Sequence, residues 1–178
     1  PYEGSTPILE QFLVDAGHSV KVSWESGILA NADEMNKFDI LLFNTMRVNN
    51  LARNQDEQKG VENFIKDGKG FVCIHISGSA AYHWPEFHKI TGGGWDMDKS
   101  FHPPYGKFEV EIVDPDHPGV EGVSDFVTND ELYMGKDIAN IDERKNPIMS
   151  GGEHAWDLIT MHDQATASGL YLFTVEDK

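Results

Sequence analysis

Cysteine is nearly absent: Cys73 is the single one in 178 residues. That excludes an internal disulfide framework and any zinc site built from several thiolates. Basic residues are scarce too. Fourteen Lys and Arg face thirty Asp and Glu, a net charge of −16. An acidic surface repels phosphate backbones and anionic lipid, so nucleic acid is not the expected partner. No apolar run approaches the roughly 18 residues of a membrane span, and no basic-then-apolar leader opens the chain. The chain starts at Pro1 rather than Met, which leaves room for a segment upstream. The expectation is a soluble protein of the cytoplasm or periplasm. Its oligomeric state is not readable from these features.

What is present fits one domain over residues 1–178 with a real core. "STPILEQFLVDAGHSV" predicts a helix capped at Ser5 or Thr6, with Pro7 in its first turn and Gly17 ending it. "HSVKVSW" predicts a strand. "FDILLFN" and "GFVCIHIS" are continuous apolar runs of strand length, the pattern of parallel strands buried on both faces. Between them "NQDEQKGVENFIKDGKG" predicts a helix with Val61, Phe64 and Ile65 on its apolar face and Gly68 just beyond. A short helix is expected over Pro85 to Ile90. "KFEVEIVD" alternates, so one of its faces should be solvated. Further strands are expected around Val127–Met134, Ala155–Met161 and Gly169–Thr174. Helices alternating with buried strands predict an open α/β sheet.

Open α/β sheets bind ligands outside the carboxyl ends of their strands. His75, Ser77, Tyr82 and His83 follow one buried run, and Thr45 follows the other. His102 stands in "FHPPY", ahead of the alternating strand, with Tyr105 beside it. Asp130 and Glu131 stand in "NDELY". Two histidines, His102 and His117, directly precede proline, which confines them to extended geometry. For His102 that stiffness serves either a braced loop or a preorganised imidazole. For His117, within "DPDHPG", turn chemistry is the stronger reading. Adjacent strand residues point to opposite faces, so one of Asp130 and Glu131 is expected to enter a crevice. His75, His83, His102 and an acid form a candidate set for a divalent metal. No His-x-His or His-Glu-x-x-His spacing supports it, so no cofactor is assigned. Cys73 lies inside its strand rather than at the turn after it, which favours packing over nucleophilic chemistry. "ISGSA" is not Gly-x-Ser-x-Gly, and "TGGG" is not a phosphate loop.

The ordered motifs "GKGFVCIHISGSAAYHWPEFHKITGGGW", "HPPYGKFEVEIVDPDHPGVEGV" and "NDELY" resemble the ThuA-like, trehalose-utilisation family. The resemblance implies a class I glutamine amidotransferase-like fold, that is, a flavodoxin-like three-layer sandwich with a mostly parallel sheet. It implies a site around His75, His102, Asp130 and Glu131, and a link to carbohydrate metabolism. It does not imply glutaminase activity, because no cysteine occupies the strand-to-helix turn near His75. The family's first strand and closing helix find no counterpart in residues 1–178.

Two functions stand on this reading. One is a hydrolase or lyase acting on keto-glycosides, with Glu131 or His75 as base and His102 as acid or oxyanion stabiliser. The other is a non-catalytic sugar-binding or interaction module, resting on the loop aromatics Trp95 and Tyr105. In the first reading, Asp130, His83, Tyr82, Trp95 and Tyr105 are the expected contacts to a small-molecule carbohydrate. Trp84, beside Pro85, reads as a packing residue.

Overall fold

The computed structural model describes residues 2–45, 54–74, 77, 84–91, 100–112, 114–130, 132, 147–150, 157–160 and 171–174. The chain forms two compact units, Pro1–Thr91 with Gln164–Lys178, and Gly92–Asp163.

The first unit begins with helix α1 (Tyr2–Asp15) and strand β1 (Ser19–Val22). A 3-10 turn (Ser26–Ala30) and the one-turn helix α2 (Ala32–Met35) lead to β2 (Ile40–Phe43). Helix α3 (Gln55–Lys66), β3 (Gly70–Cys73) and α4 (Pro85–Ile90) follow. Both long helices stop where glycine allows a left-handed residue. Gly17 has φ 92° and Gly68 has φ 82°. In each case the next residue's N–H reaches back five residues, His18 to Leu13 and Lys69 to Phe64. That pairing satisfies carbonyls the helix would otherwise strand. At its start, α3 is capped by Asn54, whose side chain accepts the Glu57 N–H at 2.8 Å.

The start of α1 corrects the sequence expectation. Ser5 and Thr6 lie inside the helix, and Pro7 is internal to it. Local rules place Pro7 near a helix start because its ring costs a backbone bond. Here tertiary contacts hold the extra turn. Thr6 is buried, and Ser5 Oγ accepts a hydrogen bond from Asn44 Nδ2 at 2.8 Å.

Strands β2 and β3 pair in parallel, Ile40 with Gly70 through Phe43 with Cys73. Alternation sends their side chains to opposite faces, and helices cover both. Leu41, Phe43 and Phe71 pack with Val61, Phe64 and Ile65 of α3 and Phe87 of α4. Leu42, Ile40, Val72 and Ile74 pack with Leu9 and Leu13 of α1. Phe43 meets Phe71 edge-on with centroids 5.0 Å apart, a preferred aromatic geometry. Trp84 is buried, and its indole N–H donates to Glu62 at 3.0 Å, in keeping with a packing role. The sheet order is β1-β8-β2-β3, with β8 (Tyr171–Thr174) antiparallel to both of its neighbours. Among the described pairings of this sheet, β2·β3 is thus the parallel one.

The second unit is an antiparallel sheet of order β5-β4-β6-β7. Its strands are β4 (Gly106–Ile112), β5 (Phe126–Asp130), β6 (Pro147–Ser150) and β7 (Asp157–Thr160). The alternation expected of β4 is present. Lys107, Glu109 and Glu111 are exposed and Val110 is buried. No helix among the described residues is long and apolar enough to cross a membrane.

One ion-pair network sets a pH dependence. The Glu34 carboxylate accepts from the ammonium groups of Lys21 on β1 and of Lys37 just past α2. The hydrogen bonds from Lys21 and then Lys37 lower its pKa from 4.5 to about 2. A carboxyl depressed by folding contributes stability above its unfolded value and loses it as pH falls through the folded one. Urea midpoints of wild type and Glu34→Gln should therefore differ above pH 4.5 and converge as pH approaches 2. A constant gap over that range would show that Glu34 is not held by the two lysines.

Candidate functional site

Because β2 and β3 run in parallel, their carboxyl ends share one edge. Past the ladder, the Ile74 N–H still donates to the Phe43 carbonyl at 3.2 Å. Ser77 then ties the two exits together. Its fully buried hydroxyl accepts the Thr45 N–H at 2.7 Å. That gives Ser77 a structural task and leaves no exposed nucleophile at this position. Asn44 brings the first turn of α1 to the same edge through its bond to Ser5. The sequence reading passed over Asn44. The available signal was a polar residue directly ending an apolar strand. His75, which follows Ile74 in the sequence, lies outside the described residues, as do Tyr82 and His83. Cys73 packs against the larger core cluster, in line with its packing assignment.

In the second unit, the ladder register sets Gly106 opposite Asp130. The segment entering β4, with His102 and Tyr105, therefore leads into the same end of the β4·β5 pair at which Asp130 ends β5. His102, Tyr105 and Asp130 are all exposed, Tyr105 by 64%. Asp130 shares its face with Thr128, Phe108 and the buried Val110, since paired and alternate residues lie on one side. Glu131 and Trp95 lie outside the described residues.

The two His-Pro steps use their rings in opposite ways. His102 Nδ1 lies 3.0 Å from the carbonyl oxygen of Pro103, which accepts from it. His117 Nδ1 instead accepts the Gly119 N–H at 2.9 Å and caps the 3-10 turn Pro118–Val120. His117 is thereby committed to local structure, as its turn-rich surroundings suggested.

Among the described residues no three His, Cys, Asp or Glu side chains come together as a metal would need. Of the candidate ligands His75, His83 and His102, only His102 is described. A cleft of about 360 Å³ lies between α2 and α3, floored by Leu29, Met35 and Phe64 and edged by Asp56, Lys59 and Asp67. None of the candidate site residues lines it.

Comparison with curated proteins finds no match. Among solved structures, the chain is similar to a ThuA-like protein from Bacteroides uniformis. The TM-score is 0.64 and the identity 17%, over 84% of this chain and 60% of that one. The present chain thus spans about three-fifths of that protein's length, and the likeness is one of fold. The family model described as "ThuA: Trehalose utilisation" matches residues 1–163, across both compact units and all the ordered motifs. On that match, the chain belongs to the ThuA family.

Proposed function

We propose that the protein acts in carbohydrate metabolism on a small disaccharide, carried as its oxidised keto form, with His75, His102 and Glu131 as the catalytic groups. The observation that carries this reading is the trehalose-utilisation family match over residues 1–163. It also supports reading residues 1–178 as one ThuA-like domain. Helices on both faces of the β2·β3 pair support a flavodoxin-like, amidotransferase-like sandwich. The absence of a cysteine at the turn after β3 argues against glutaminase chemistry.

The chemistry follows from the carbonyl. A keto group acidifies the neighbouring C–H. A base takes that proton, and the C–H electron pair moves into an enolate. Collapse of the enolate breaks the glycosidic C–O bond, with the pair leaving on oxygen, which then takes up a proton. The reaction needs one group able to accept a proton and one able to donate it, which imidazoles and carboxyls supply near neutral pH. Asp130, His83, Tyr82, Trp95 and Tyr105 are assigned to substrate contact. Carboxylates accept from sugar hydroxyls, and aromatic faces offer broad apolar area with a polar edge.

The test is to offer the protein trehalose and its keto-oxidised form, following binding by calorimetry and cleavage by released glucose. Cleavage of the keto sugar alone supports the reading. Binding without cleavage of either sugar replaces it with a sugar-binding module. Neither binding nor cleavage removes the carbohydrate assignment.

A further inference from the structure

We infer that the cleft between α2 and α3 is a binding site of its own, for a small neutral polyhydroxylated ligand of the sugar or sugar-alcohol class. This goes beyond the reading above, since none of the residues assigned there to catalysis or substrate contact lines the cleft.

The cleft's volume of about 360 Å³ falls within the roughly 300–1,000 Å³ of small-molecule sites. One wall is α3 and its cap. Asp56, Lys59, Asn63 and Asp67 recur every three or four residues, which aligns them along one helix face. Asn36, at the end of α2, stands on the other wall. Among the described residues, no hydrogen bond or ion pair engages any of these side chains. Polar side chains close by are committed. Glu57 accepts from Ser26, Glu62 accepts from Trp84, and the Lys69 ammonium donates to the Asn36 carbonyl. Unspent donors and acceptors are thus found where α3 borders the cleft.

The walls narrow the ligand's chemistry. Asp56 and Asp67 outweigh Lys59, on a chain of net charge −16, which disfavours phosphates and carboxylates. The floor offers an apolar ligand little to gain, because Leu29, Met35 and Phe64 are already 3% exposed or less. No three metal-ligating side chains come together among the described residues. What remains is a ligand whose groups both donate and accept, as hydroxyls do. A hydroxyl donates to the carboxylates of Asp56 and Asp67 and accepts from the Lys59 ammonium. With the carboxamides of Asn36 and Asn63 it does either. Asp67 gains most from a donor, since it caps the negative end of α3, where the helix dipole opposes its charge. One polyol meets several of these groups at once and takes the place of the waters that would otherwise serve them.

The experiment is a ¹H–¹⁵N titration of the full chain with glucose and with trehalose, following the side-chain amides of Asn36 and Asn63. Asn36→Ala and Asn63→Ala spectra supply the assignments, and glucose 6-phosphate and glycine are the charged controls. Expected are saturable shifts at both asparagines with either neutral sugar, and weaker ones with both controls. Asn63 and Lys59 are exposed, with no side-chain partner among the described residues, so Asn63→Ala and Lys59→Ala should fold as wild type does. Each should weaken binding by about 3–10-fold, the worth of one net hydrogen bond. Unmoved asparagine signals overturn the inference. So do stronger shifts with either control, or variants that bind as tightly as wild type. The readout involves neither turnover nor His75, His102 and Glu131, so it succeeds or fails independently of the catalytic assignment.

Discussion

Gly60→Ala should destabilise the protein by about 3 kcal/mol, although alanine is the better helix former. Gly60 lies in the middle of α3, where exposed glycine costs about 1 kcal/mol relative to alanine. Its position is not exposed on the side that matters. A Cβ built there would lie 1.7 Å from the Leu29 carbonyl oxygen and 2.8 Å from the Leu29 carbonyl carbon. Both are backbone atoms, so no rotamer change relieves the overlap. The turn Ser26–Ala30 would have to lift off the helix. Leu29, fully buried, sits in the main core cluster with Val61 and Phe64. Lifting it forfeits much of the roughly 1.5–3 kcal/mol that burial of a leucine contributes. Gaps of even 0.5–1 Å around it lose a quarter to a half of each dispersion contact. The expected fall in melting temperature is about 6–12 °C for a chain of this size. Gly4→Ala is the control, because nothing lies within 4 Å of a Cβ there. It should be neutral or mildly stabilising. A Gly60→Ala protein as stable as wild type would mean that α3 and the turn are not in contact at this point.

Such close approaches are what the sequence conceals. Gly60 looks like a weak spot in a helix, and only the packing reveals why it is glycine. The helix ends were readable because their cause is local: Gly17 and Gly68 permit left-handed backbone, and the chain turns there. The two buried strands were readable because burial on both faces leaves an unbroken apolar run. The alternation of β4 announced its solvated face for the same kind of reason. The start of α1 was not readable, since it depends on Asn44, thirty-nine positions from Ser5. Nor was the insertion of β8 between β1 and β2, since pairing distant strands depends on partners outside any local window. The site divides similarly. That His102 and Tyr105 precede β4 and that Asp130 lies in the strand paired with it could be deduced from strand order and spacing. That Ser77 is consumed in joining two strand exits, and that His117 caps a 3-10 turn, required coordinates.

Replacing His75, His102 or Glu131 should each lower turnover of a keto-disaccharide by about 10²–10⁴-fold, the range for loss of a positioned acid or base. The variants are His75→Ala, His102→Ala and Glu131→Gln. Surface substitutions usually change stability by less than about 0.5 kcal/mol. His102 is exposed, so its variant should keep the wild-type urea midpoint. Groups that serve one proton-transfer sequence are not additive. A His75→Ala/Glu131→Gln double variant should then be about as slow as its slower parent, rather than slower by the product of the two losses. Tyr105→Ala separates binding from chemistry. If its ring only contacts sugar, KM rises while kcat stays close to wild type. The pH profile distinguishes proton transfer from a merely structural role. A group that must start unprotonated gives a rate that falls on the acid side, and the variant that removes that group loses the limb along with most of the activity. Full turnover in both His75→Ala and Glu131→Gln would end the catalytic assignment of those residues. It would direct attention to His102, which precedes β4, and Asp130, which the β4·β5 register sets opposite Gly106.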